Sequence, residues 1–251
     1  MALPALQPAA FVVERLRAAL PAPLAARVTR ARDLVRGRAA APRETFPTSL
    51  AALDRLLDGG LERGALTEVV GGRSSGRFSL ALATLAAATA AGEAAVLVDL
   101  GGHLDPQAAR AAGADLERLL WVRPERLRDA LVAAETVLGA GFPLVVVDLG
   151  YPPVPGGRGS DAAWLRLRRA AESQRAALLV SAPYRVSGTA AAAVVRARAR
   201  RAAWRGRGGA PRLLAATAAE LRLERSRARP DAAAAGPEAA LVLRSSGWPA
   251  A

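Results

Sequence analysis

Residues 65–80 read Ala65-Leu66-Thr67-Glu68-Val69-Val70, then Gly71-Gly72-Arg73-Ser74-Ser75-Gly76-Arg77-Phe78-Ser79-Leu80. A short apolar strand, a glycine-rich turn and the start of a helix follow one another, which is the order of a phosphate loop. The glycines at 71 and 76 have the spacing that lets backbone N–H groups and a helix N-terminus wrap an anion. A working loop carries Lys after the second glycine, to reach the outer phosphates, and then a Ser or Thr hydroxyl to hold Mg²⁺. Those places hold Arg77 and Phe78. A planar guanidinium does not fit a site made for a compact ammonium unless something moves, and a phenyl ring ligates no metal. Ser79 comes one residue late, turned by roughly 100° around the helix. Gly71, Gly72, Ser74, Ser75, Gly76, Arg77, Phe78 and Ser79 are therefore the residues of a degraded phosphate loop. Two readings stand: weak ATP or ADP binding without hydrolysis, or a tight strand-to-helix turn kept for packing.

Working outward, strands and helices alternate. The pattern predicts a helix from Leu80 to about Ala91, a strand over Ala94–Leu100, a helix from Pro106 to Ala112, a strand over Leu119–Val122 and a helix from Glu125 to about Leu138. Pro143–Leu149, with Leu144-Val145-Val146-Val147-Asp148, is the clearest buried parallel strand. A Pro/Gly loop at 151–159, a helix over Asp161–Gln174 and a strand over Ala176–Ser181 come next. The Ala/Arg segment up to Gly209 is expected to be a helix, followed by strands near Leu213–Leu223 and Ala239–Arg244. The expected architecture is α/β: a mainly parallel twisted sheet flanked by helices. Residues 1–42 form an N-terminal helical arm and linker ahead of a core over 43–251. In the arm, Phe11, Val12, Leu16 and Leu20 fall near helical spacing before Pro21, and a second helix is expected over Leu24 to about Arg38.

Composition narrows the chemistry. The formal charge is +13, and all 35 basic residues are arginine. Lysine, isoleucine and asparagine are all absent, which points to a GC-rich genome, so an Arg in place of Lys says little by itself. The positive balance fits either an anionic partner such as nucleic acid or solvated arginine-rich faces. There is no cysteine and one histidine, His103, so thiolate and histidine-cluster metal sites lack ligands and His103 reads as an ordinary loop residue. No metal site is expected. No signal segment and no apolar run of about 18 residues is visible, which makes the cytoplasm the default location and a membrane an unexpected partner.

Over about Pro47–Gly247 the order of elements resembles RecA, whose phosphate loop carries Ser-Ser before Gly-Lys-Thr. Leu50–Gly64 is similar to RecA's entry segment, and Val98-Asp99-Leu100-Gly101-Gly102-His103-Leu104-Asp105-Pro106 to the segment after its second strand. The resemblance implies a RecA-like core. It also implies that Gly101 stands where RecA has the glutamate that polarises water, that Asp148 is the Walker B aspartate, and that Ala182 replaces the glutamine that senses the γ-phosphate. An alternative for Asp148 is that it caps a neighbouring loop. RecA binds single-stranded DNA through the loops after these strands. The second such region here holds Arg185, Arg196, Arg198, Arg200, Arg201, Arg205 and Arg207, with Trp204 among them. Arginines for phosphates and an aromatic for stacking would suit single-stranded DNA; a solvated helix with Trp204 packed on the core is the other reading. RecA's N-terminal helix packs on a neighbouring protomer, so Phe11, Val12, Leu16 and Leu20 would dock on a RecA-like partner or fold back on the core.

The ruined loop, the basic tail and Gly247-Trp248-Pro249 look like the ImuA family of RecA paralogues. Arg77, Phe78 and Gly101 argue against ATP hydrolysis, and the resemblance implies an adaptor role in DNA-damage-induced mutagenesis (translesion synthesis in the SOS response), with an ImuB-type relative of Y-family polymerases and RecA as partners, and RecA filaments as the thing modulated. Two rival readings are a DNA-dependent ATPase or recombinase with an atypical loop, and a RecA-core regulator of cell division.

Overall fold

The computed structural model describes residues 17–25, 43–152, 154, 159–206, 213–229 and 238–244. The chain divides into two units, Met1–Arg43 and Glu44–Ala251. In the first, 17–19 are helical, Leu20 lies at a bend, half-buried, and α1 spans Ala22–Ala25. Phe11, Val12, Leu16 and most of the second expected helix lie outside the described residues.

The second unit opens with β1 (Thr45–Phe46), α2 (Ala51–Leu56) and β2 (Leu61–Glu62), which pairs antiparallel with β1. Thr48 ties the segment before α2 to the helix: its N–H and its hydroxyl both donate to Asp54 Oδ1, at 3.0 and 2.7 Å. The main strands and helices then alternate: β3 (Ala65–Val70), α3 (Arg77–Ala90), β4 (Ala95–Asp99), α4 (Pro106–Ala111), β5 (Leu119–Val122), α5 (Leu127–Gly139), β6 (Leu144–Asp148), α6 (Asp161–Gln174) and β7 (Ala177–Ala182). β8 (Ala193–Arg205), β9 (Leu213–Ser226) and β10 (Glu238–Arg244) complete a sheet of order β10-β9-β8-β3-β7-β6-β4-β5. From β8 to β5 every pairing is parallel; β9 and β10 add antiparallel. The α/β reading with a mainly parallel sheet holds.

Strand alternation sorts the core into two layers, because successive side chains point to opposite faces. Leu97, Val146 and Leu179 face α3, where Leu80, Ala81 and Leu85 are wholly buried. Val96, Val98, Val145, Val147, Leu178 and Val180 face α5 and α6, around Trp164 and Leu167. Both faces are covered, which is why these strands read as unbroken apolar runs.

One expected element differs. Residues 193–205, expected as a helix, form β8. Alanine favours helices, but Arg196-Ala197-Arg198-Ala199 alternates with period two, and that alternation lays Ala197 against the core while Arg198 faces solvent. Pairing with β3 on one side and β9 on the other decides the outcome.

Candidate functional site: a phosphate loop closed from beneath

Strand register brings the site together. Asp99 of β4, Asp148 of β6 and Ser181 of β7 lie side by side at the carboxyl ends of their strands, the edge where α/β sheets place ligands. The phosphate loop rises from β3 beside them. Gly71 N donates to Ala182 O at 3.1 Å and Ser75 N to Gly72 O at 3.3 Å. Gly76 closes the loop with φ +85°, in the left-handed region, and caps α3 without a side-chain bond. Gly72, Arg73, Ser74 and Ser79 are exposed, whereas Ser75 is buried. A side chain at Gly71 would meet Ser75 Oγ and Ala197 O at 2.5 and 2.6 Å. The loop is thus held tightly against β8.

Arg77 does not point out toward the loop's mouth. It is 3% exposed and folds beneath the loop. Its Nε donates to Gly71 O at 3.1 Å, and its Nη1 to Asp148 Oδ1 at 2.8 Å and to Ser181 Oγ at 2.7 Å. Nη2 donates to Gly150 O. Four of the five N–H donors of a guanidinium are therefore committed to protein acceptors.

Asp148 is equally engaged. Ser181 Oγ donates to its Oδ1 at 2.6 Å, Gly150 N donates to its Oδ2 at 3.3 Å, and His103 Nδ1 lies 2.8 Å from Oδ2. Burial pushes its carboxyl up, but the His103 hydrogen bond, the Arg77 charge and the Ser181 hydroxyl together hold it below the usual range. The same hydrogen bond raises the His103 imidazole against a smaller opposing effect of burial. His103 is thus no ordinary loop residue. It sits edge-on to Phe78, with ring centroids 5.3 Å apart, and against Tyr151 at 4.6 Å. Arg73 stacks on the other part of this cluster, its guanidinium 4.7 Å from the Tyr151 ring centre.

Asp99, His103 and Asp148 bring metal-ligand-type atoms within 4.8 Å of one another. Each carboxylate already accepts protein donors. Asp99 takes the N–H of His103 and of Leu104, both at 3.0 Å, and Trp121 Nε1 at 3.2 Å. The cation that Asp148 faces is Arg77. Gly101 stands beside them with no room for a side chain: a Cβ there would lie 2.6 Å from Gly150 Cα and 2.8 Å from Asp148 Oδ2. Above the loop, a cavity of about 360 Å³ is walled by Phe78, His103 and Tyr151 on one side and by Thr217 and Leu243 on the other.

The other basic residues singled out in the sequence lie after β7 and along β8, beside the loop. Arg185 is exposed after β7, and Arg196, Arg198, Arg200, Arg201, Trp204 and Arg205 lie along β8; Arg207 falls outside the described residues. Arg196 pairs with Glu224, and Arg200 with Glu220. Trp204 is 56% exposed, so it does not pack on the core. Sequence reading also missed Glu68. Wholly buried in β3, it accepts Val186 N at 2.6 Å and Ser187 Oγ at 2.5 Å, and so clamps the turn after β7. An acid inside an apolar strand was the available signal. Ser181 and Tyr151 carried none.

The fold and site define an α/β protein with a phosphate loop at the carboxyl ends of a mainly parallel sheet. Residues 34–155 match the family described as RecA N-terminal domain. The chain is 40% identical over 119 residues to Protein RecA of Acidothermus cellulolyticus, covering 47% of this chain and 34% of that one. It is 36% identical over 157 residues to Protein RecA of Saccharopolyspora erythraea, covering 60% and 45%. The matches thus span a third to under half the length of these relatives. The chain is RecA-like. No helix among the described residues is long and apolar enough to cross a membrane.

Proposed function

We propose that this chain is a non-catalytic RecA-like adaptor of the ImuA kind, acting in DNA-damage-induced mutagenesis by binding an ImuB-type polymerase relative and RecA, and modulating RecA filaments. The observation that carries this reading is the buried Arg77–Asp148 pair. Hydrolysis in this fold needs the loop's cation on the outer phosphates, a hydroxyl and the Walker B acid around Mg²⁺, and a base for water. Here the cation is spent on the Walker B acid, Phe78 offers no oxygen, and Gly101 has neither a carboxylate nor the space for one. Magnesium-bound nucleotide fits these residues poorly. Gly72, Arg73 and Ser74 are exposed ahead of the α3 N-terminus, which still suits weak ATP or ADP binding.

The test is reconstitution. Purified chain is mixed with RecA filaments on single-stranded DNA, and separately with the ImuB-type protein, and association is read by sedimentation and size-exclusion chromatography. The adaptor reading predicts co-migration with both and altered filament length. Failure to associate with either removes it.

A further inference from the structure

The antiparallel strands β8, β9 and β10 carry an open edge. β8 pairs with β3 only over Ala193–Arg196. Beyond it, among the described residues, 198–204 bond to β9 on one side and to no strand on the other. Every residue from Arg198 to Trp204 is exposed. Such an edge presents a row of unpaired N–H and C=O groups and is a template for a further strand unless something covers it. β8 has no proline here, and its register shifts, between Ala199 and Arg201 and between Ala203 and Trp204, leave the stretch between them regular.

The charges beside the edge have a definite sign. Between the phosphate loop and these strands lies a groove of about 590 Å³, lined by Arg73, Arg196, Arg198 and Arg222 together with glutamates. Glu224 is taken by Arg196, Glu220 by Arg200, and Glu238 lies 3.9 Å from Arg222. Arg73, Arg198 and Arg201 have no carboxylate partner among the described residues. At the tip, Trp204 and Leu214 are register partners, and both are exposed, with Leu213 beside them.

We infer that this edge of β8 is a docking site for an acidic, extended peptide segment of a partner protein, which adds as a strand, sets carboxylates against Arg198 and Arg201 and lays apolar residues by Trp204. Strand addition supplies main-chain hydrogen bonds for affinity and alternate side chains for specificity. A nucleic acid suits the surface less well. It has no use for a row of backbone groups, whereas an extended peptide pairs with them and sets its acids against the arginines at every second position. The inference deepens the adaptor reading by naming a binding surface. It is tested without nucleotide, RecA or ImuB-type protein, so its failure leaves that reading standing.

The probe is a fluorescent peptide alternating Glu with Val, with labelled oligo-dT as the competing ligand, on the full chain. Binding is followed by anisotropy and by hydrogen exchange. The expected result is that the peptide binds and slows exchange at amides within 198–204, and that Arg198→Glu combined with Arg201→Glu weakens it by roughly tenfold or more. Neighbouring residues of a strand direct their N–H groups to opposite sides, so of Ala202→Pro and Ala203→Pro one leaves the β9 ladder intact and melts like the parent. That variant abolishes peptide binding. No peptide binding, binding without protection of 198–204, binding indifferent to the well-folded proline variant, or binding of oligo-dT alone overturns the inference.

Discussion

Arg77 decides the character of the site, and its energetics are those of a buried ion pair. Two charges removed from water are stable together only when each is well hydrogen-bonded, and here Asp148 has donors from four residues. Arg77→Met leaves the carboxylate buried with its main countercharge gone, and urea denaturation is expected to show a loss of about 3–5 kcal/mol. Adding Asp148→Leu is expected to restore most of it. A pair contributing little would show instead as a small loss in the single variant. Gly101→Ala forces a methyl into the Gly150 backbone and is expected to cost about 1–3 kcal/mol.

His103 adds a pH dependence whose sign follows from the shifts. Its folded pKa is raised, so its contribution is full below the ordinary histidine value of about 6.5 and fades as pH rises through the raised one. Asp148 is lowered, so its contribution is present above the ordinary carboxylate range and is lost as pH falls through the lowered value. The urea midpoint is expected to be highest at roughly pH 5–6.5 and to decline toward pH 9. His103→Gln, which keeps a donor for Asp148, is expected to flatten the alkaline decline. An unchanged slope in that variant would contradict this assignment. None of these contacts was legible in the sequence: Arg77 and Asp148 are 71 residues apart, and only the sheet register brings them together. What the loop itself disclosed was the wrong residue types at 77 and 78.

At the scale of elements, legibility followed the strength of the pattern. β3, β5 and α6 could be placed to the residue, because β3 and β5 are short runs bounded by turn residues and α6 begins at a capping serine, Ser160, whose hydroxyl accepts from Ala163 N. β8 was not legible as a strand. Its alanines favour a helix locally, and only pairing with β3 and β9 overrides them. The correction changes the meaning of the arginines, which now line a sheet edge instead of a helix face. The turn after β7 depends on Glu68, and Glu68→Ala is expected to cost about 2–4 kcal/mol by stranding Val186 N and the Ser187 hydroxyl. Hydrogen exchange should speed up first at Val186 and Ser187; uniform loosening across the domain would argue against a local clamp.

The whole molecule keeps the RecA-like sheet, loop and strand-end acids while turning the loop's cation inward onto the acid that a nucleotide's metal would need. The adaptor proposed above is a molecule that binds and does not turn over substrate. The most direct test is phosphate release from ATP with Mg²⁺ and single-stranded DNA, comparing the parent chain with Arg77→Ala. Both are expected to release phosphate at the rate of the protein-free control. Turnover by the parent that Arg77→Ala abolishes would contradict it.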